Sequence, residues 1–324
     1  MIRKLFGLIF IVALLVVGAL GGWYAIASRG VAPDLLEEKY LTIDDQFVDI
    51  GAARVRVRME GPLNAPVIIM NHGFTHSLET WNGWATALKN DYRIVRYDLG
   101  GHGLTGPDPD MRYAPVERAA FLKDLMDTLG IERAVVAGNS LGGLVAWRFA
   151  SANPDRVDAL VLIAPGVFSI NGVADEPVPV PLPLRIFLMT APKTGMKKAA
   201  KRVYGDDAKV TDAIVERMRD MIRRQGNGAA LIDALEEFTM PDPTKELQAL
   251  ATPSLIFWGT EDVIIPIEQG ERMAALLPNA ELVFLPGAGH VAQEEAPDET
   301  LRYVHEFLAG LEHSYILSAE QHGK

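Results

Sequence analysis

Apolar residues along this chain fall into three rhythms, and each predicts a different kind of element. From Gln46 to Ile50 and from Arg54 to Met59, apolar and polar residues alternate with the period of half-exposed antiparallel strands, and Gly51 between them signals a hairpin. Short, largely apolar runs then take over at Val67–Met70, Arg93–Tyr97, Ala134–Ala137 and Leu160–Ile163, separated by helical stretches such as Pro115–Leu129. Strand and helix in alternation predict an α/β fold with a doubly wound, mostly parallel sheet. The rhythm stops after Pro165 and resumes at Leu255–Trp258, Leu282–Leu285 and a helix from Glu299 to Leu311. Residues 40–165 and 248–312 therefore read as two parts of one core, and residues 166–247 as an insertion. The insertion opens with Pro177, Val178, Pro179, Val180, Pro181, Leu182 and Pro183, a stiff extended segment. It continues with helix-like stretches at Lys197–Lys201 and Val210–Arg224, so a mainly helical cap is expected. Val31–Glu38 reads as a polar linker, and residues 313–324 as a flexible tail that frays.

The third rhythm is at the start. Arg3 and Lys4 precede an uncharged stretch from Leu5 to Ala27, apolar on every face. As a helix it would span about 34 Å, enough for a bilayer core of about 30 Å. Trp23 and Tyr24 fall where an interfacial aromatic belt would lie. Residues 1–30 are therefore expected to form a transmembrane anchor, with the basic tail inside and the bulk of the chain outside the cytoplasm, periplasmic or extracellular. The alternative is a signal peptide cleaved near Ala25-Ile26-Ala27, which would release a secreted protein. The length of the stretch and the bulky Trp23 and Tyr24 favour the anchor.

With 324 residues, 49% of them hydrophobic, the chain has ample material for a core. A formal charge of −11 opposes nucleic-acid binding and gives no steering toward anions, so a neutral or apolar small molecule is the expected partner. The absence of cysteine removes disulfides, thiolate metal sites and cysteine nucleophiles.

Chemistry concentrates at Gly138-Asn139-Ser140-Leu141-Gly142, between the strand-like Ala134–Ala137 and a helix-like stretch beginning at Leu144. Glycines on both sides of a serine permit a sharp strand-to-helix turn that exposes the hydroxyl, the geometry of a nucleophile elbow. A serine hydroxyl needs a base, and the base needs an acid to orient it. Gly287-Ala288-Gly289-His290 follows the last strand and supplies the base, while Asp262 in Trp258-Gly259-Thr260-Glu261-Asp262 follows the preceding strand and supplies the acid, with Glu261 as the alternative. All three positions fall at carboxyl ends of strands, where open α/β sheets place their sites. A tetrahedral intermediate also needs an oxyanion hole. The backbone N–H groups of Leu141 and Phe74 are the candidates, with Gly73 letting the loop approach. His72 and Gly73 are expected on the substrate side of that loop, His72 as its brace and not as a base. His102 reads as part of a turn. Neither His72 nor His102 is read as a metal ligand, so neither a metal nor any other cofactor is expected.

Together, His72-Gly73, Asp98-Leu99-Gly100-Gly101-His102-Gly103, Gly138–Gly143, Trp258–Asp262 with Pro266, and Gly289-His290 resemble the α/β-hydrolase superfamily, in its form with a cap after the sixth strand. The resemblance covers about residues 40–312. It departs at Gly100, where the family usually has Arg, and at Thr105, where it usually has Ser. Ser140 argues against dehalogenases and epoxide hydrolases, which carry aspartate there. What the resemblance implies is a serine hydrolase, an esterase or lipase acting on apolar esters, lipids among them. Relatives that cleave carbon–carbon bonds of ring-fission products usually have a Gly-Pro-Gly loop where this chain has Phe74-Thr75-His76, which favours the ester-cleaving group. The superfamily also includes cofactor-free haloperoxidases and non-catalytic binding domains, and the triad by itself does not separate this chain from the haloperoxidases. Val178, Val180, Leu182, Leu184, Phe187, Leu188 and Met189 of the cap are expected to line an acyl pocket, to touch a bilayer, or only to pack the cap.

Overall fold

The computed structural model describes residues 18–19, 21–170 and 172–322, with 312–322 described by backbone alone. Most of the expected membrane segment lies outside these residues. Among the described residues no helix is long and apolar enough to cross a membrane.

Helix α1 (Pro33–Tyr40) leads into the hairpin β1 (Asp45–Ile50) and β2 (Ala53–Glu60), followed by β3 (Val67–Asn71), α2 (Asn82–Leu88), β4 (Arg93–Tyr97), α3 (Pro115–Thr128), β5 (Ala134–Asn139), α4 (Leu141–Ala152) and β6 (Val157–Ile163). The cap carries α5 (Leu182–Thr190), α6 (Lys193–Val203), α7 (Asp212–Arg223) and α8 (Asn227–Glu236). The core resumes with α9 (Thr244–Ala249), β7 (Ser254–Gly259), α10 (Glu268–Leu276), β8 (Ala280–Leu285), α11 (Ala292–Glu295) and α12 (Pro297–His322).

The eight strands form one sheet in the order β1-β2-β4-β3-β5-β6-β7-β8. Pairings β1/β2 and β2/β4 are antiparallel and the rest parallel, as the change of rhythm near Val67 predicts. Parallel strands buried on both sides need helices on both faces. One face packs Leu122 and Leu125 of α3 and Leu144 and Val145 of α4. The other packs Trp84 and Leu88 of α2 with Leu301, Val304 and Leu308 of α12. The cap has its own apolar centre, including Leu188, Met196, Val215, Met218 and Leu231, which meets the core at Val291 and Phe74.

Two local expectations are corrected. The linker is a helix: Pro33 fits the first position of α1, and Leu36 is buried with Leu104 and Met221. The alternation in β2 exposes Arg54 but not the other two arginines. Arg56 is 0% and Arg58 6% exposed, because Asp45 ion-pairs with both, and Glu79 and Asp98 also face Arg56. At the other end of the chain α12 runs through His322, with no proline or glycine after Gly310 to stop it within that span.

Candidate active site

β5 ends at Asn139 and α4 begins at Leu141, so a single residue makes the turn. That residue is Ser140, with φ 53° and ψ −115°, a conformation a non-glycine side chain adopts only when its surroundings enforce it. The Ser140 N–H donates to the Ile163 carbonyl at 3.0 Å, and its carbonyl accepts from Leu144 and Gly166, both at 3.0 Å. Close approach explains the flanking glycines. A Cβ on Gly138 would lie 2.3 Å from the Gly142 carbonyl oxygen, and one on Gly142 would lie 2.1 Å from the Asn71 oxygen.

Asp262 and His290 come together as the spacing predicts. Their side chains are 0% and 5% exposed, and His290 Nδ1 meets Asp262 Oδ2 at 2.7 Å. The other Asp262 oxygen accepts from the N–H groups of Ile264 at 2.7 Å and Ile265 at 3.1 Å. One carboxylate is thus held by the turn it ends and still has an oxygen for the imidazole. Glu261 makes no such contact with His290. Asn139 ties the elbow to the histidine, its Nδ2 donating to the carbonyls of His290 at 2.8 Å and Ile163 at 3.0 Å.

His72 is fully buried and spends both ring nitrogens on backbone: Nε2 accepts from Leu99 N–H at 3.0 Å, so Nδ1 carries the proton and donates to the Gly73 carbonyl at 2.8 Å. Burial, the main cause, pushes its pKa down to about 3, so the ring is neutral. Neither His72 nor Gly73 is among the residues lining the cavity at Ser140. His72 braces the loop, and Gly73 brings it against Asn139 and Ser140. His102 lies edge-on to both His72 and Phe74 in the turn after β4, with its own pKa well lowered by burial. Behind the turn, Thr105 Oγ1 accepts from Arg56 N–H at 2.9 Å and donates to the Asp98 carbonyl at 2.8 Å. The departure from serine therefore keeps its hydroxyl contacts.

Ser140, Leu141 and Phe74 open on a cavity of about 190 Å³. Its wall is mostly apolar, from Ile264 and Ile265 of the core, Ile170 near the start of the insertion, and Ala234, Leu235, Phe238 and Met240 toward its end. None of the seven apolar cap residues expected to line an acyl pocket takes part. Leu182, Leu184 and Ile186 of α5 instead face outward at 67%, 37% and 37% exposure.

Two residues at the site have no counterpart among the sequence expectations. Glu295, 5% exposed, accepts from the N–H groups of Gly205 at 3.0 Å and Asp206 at 2.8 Å in the cap, and of Gly289 at 2.7 Å beside His290. Arg118, 3% exposed, joins the cavity wall. Acidic and basic residues on helices ordinarily read as solvated, so neither carries a signal. A second cap contact is the half-buried pair Arg217 and Glu294, with Thr80 Oγ1 donating to Glu294 at 2.7 Å.

The sequence profile of the alpha/beta hydrolase family matches residues 67–303. The chain belongs to the alpha/beta hydrolase family. This hydrolase is 32% identical, over 76% of its length and 87% of the relative's, to the 2-hydroxy-6-oxononadienedioate/2-hydroxy-6-oxononatrienedioate hydrolase of Paraburkholderia xenovorans. Its fold is similar to that of a carboxylesterase from Bacillus subtilis, with TM-score 0.71 and 23% identity, covering 90% of this chain and 98% of that one. It is equally similar to the 2-hydroxy-6-oxo-6-phenylhexa-2,4-dienoate hydrolase of Rhodococcus sp. strain RHA1, with TM-score 0.73 and 22% identity, covering 83% and 100%.

Proposed function

We propose that this hydrolase cleaves carboxylic esters through an acyl-enzyme on Ser140. The observation that carries the reading is the Asp262–His290 pair at 2.7 Å, tied through Asn139 to a strained Ser140 that opens on a mostly apolar cavity. His290 takes the Ser140 proton as the oxygen attacks the ester carbonyl, then returns it to the leaving alcohol. Asp262 holds the imidazole in the tautomer this needs. The N–H groups of Phe74 and Leu141 receive the oxyanion. Water then repeats the sequence and frees the acid. The cavity is below the range of roughly 300–1,000 Å³ usual for drug-sized ligands, which favours short or medium groups over long lipid chains. A fluorophosphonate probe is expected to label the wild type and not Ser140→Ala. Labelling that persists in the mutant would falsify the assignment.

The second reading is carbon–carbon bond hydrolysis of ring-fission products, favoured by the 32% identity to a hydrolase named for such a compound. A panel of p-nitrophenyl esters run beside a ring-fission product separates the two: turnover of the latter alone overturns the ester reading.

The same proposal keeps the chain on a membrane through the segment from Leu5 to Ala27, with the hydrolase outside the cytoplasm. Trp23 and Tyr24 at its end are 52% and 37% exposed, available to an interface, as are the outward residues of α5. The protein is expected to stay with membranes after a carbonate wash and to be digested by protease added to spheroplasts. Recovery in the wash supernatant would overturn the anchor.

A further inference from the structure

The cavity at Ser140 holds one charged side chain, and that charge has no counter-ion. Arg118 lies near the start of α3, where its guanidinium is fixed by backbone: Nε donates to the Tyr113 carbonyl and Nη1 to the Gly100 carbonyl, each at 3.0 Å. The ring of Tyr113 lies beside it at 5.3 Å. Nη2 is buried and has no hydrogen-bond partner. Among the described residues Arg118 makes no ion pair. The nearby carboxylate of Asp108 is bound instead by Arg112, at 2.7 and 3.1 Å through its two oxygens. Glu237, beyond the end of α8, acts on Arg118 at a distance and without a hydrogen bond. Burial lowers the guanidinium pKa to about 10, which still leaves it charged at neutral pH.

A buried cation with two neutral acceptors and a free amino group is costly unless something else in the site balances it. The planar fork of arginine matches a carboxylate, and here two of its arms are already locked. We propose that Arg118 is the docking point for a carboxylate on the substrate, so that the preferred substrates are half-esters of dicarboxylic acids, with the esterified carbonyl at Ser140. The proposal rests on the ester reading of the Ser140 cavity and narrows it. It also reverses the expectation of a neutral substrate drawn from the net charge of −11, which describes the surface and not the wall of one cavity.

The test compares p-nitrophenyl hydrogen adipate and hydrogen suberate with p-nitrophenyl hexanoate and octanoate, which match them in chain length without the second charge. Wild-type kcat/KM is expected to favour the acids at least tenfold, mostly through KM. Arg118→Met is expected to lower that ratio at least tenfold, and Arg118→Lys to restore part of it. A wild-type ratio at or below one overturns the proposal, as does a ratio that Arg118→Met leaves unmoved. Neutral esters turned over without acid preference leave the ester reading standing while this inference falls. Docking is read apart from turnover by titrating suberate into the full-length protein calorimetrically. Binding at least tenfold weaker in Arg118→Met is expected, and equal or absent binding overturns the assignment. If the methionine variant does not fold, the wild-type ratio and the wild-type titration decide.

Discussion

Asp262 divides its carboxylate between two tasks, and the division predicts how the site fails. One oxygen accepts two backbone N–H groups and the other faces the His290 Nδ1. In Asp262→Asn the amide oxygen must stay with the N–H groups, so its NH2 turns toward the imidazole and the ring is left in the wrong tautomer. The expected outcome is a folded protein whose kcat on p-nitrophenyl esters falls about 10⁴-fold. A loss below tenfold, with the far-UV circular dichroism unchanged, would assign the acid elsewhere. Serine, acid and histidine were legible in the sequence because each follows a strand and each is a residue type that acyl transfer requires. Arg118 and Glu295 were not, because a charged residue within a helical pattern reads as solvated until the fold covers it.

Among the elements, the elbow is the least tolerant. Gly142→Ala puts a methyl into contact with the Asn71 backbone, which no side-chain rotation relieves. A destabilisation above about 2 kcal/mol is expected, read as a lowered Tm. Unchanged melting would mean that α4 can shift away from β3. The cap depends on a different kind of contact. Glu295 serves three N–H groups, two of them in the cap. Glu295→Gln replaces one accepting oxygen by a donor, at a cost of about 1–3 kcal/mol. Faster proteolysis within residues 166–247 and a lower kcat are the expected result, and wild-type values for both would remove Glu295 from this role. The periodicity found the strands, the hairpin and the cap helices α6 and α7, because each repeats its pattern for several residues. It misread α1, a helix held by one buried leucine and by Lys39 and Tyr40 contacting Asp220, a partner 180 residues away in the case of Tyr40.

For the whole molecule, three buried histidines set how stability responds to acid. Burial lowers the pKa of His72 to about 3 and lowers those of His76 and His102. In the unfolded chain each titrates near 6.5. Folded-state values below the unfolded one mean that their contribution is complete above about pH 6.5 and declines as pH falls, since only the unfolded chain takes up the protons. Each histidine removes about 1.4 kcal/mol per pH unit once below that point, until its own folded-state pKa is reached. Urea midpoints are expected to drop steeply between pH 7 and 5, and a flat profile would contradict the neutral, buried state. His72 and His76 flank Phe74 on its loop and His102 packs edge-on against it from the turn after β4, so mild acid should loosen that region along with the fold. The cap has a related hold on the chemistry. The His290 N–H donates to the carbonyl of Val203, the last residue of α6, at 2.8 Å. Lifting α6 away from the core must break that bond or carry the histidine with it, and either event separates Ser140 from the group that takes its proton. An enzyme with its cap raised would admit substrate while disarmed, and would become a catalyst only on closing.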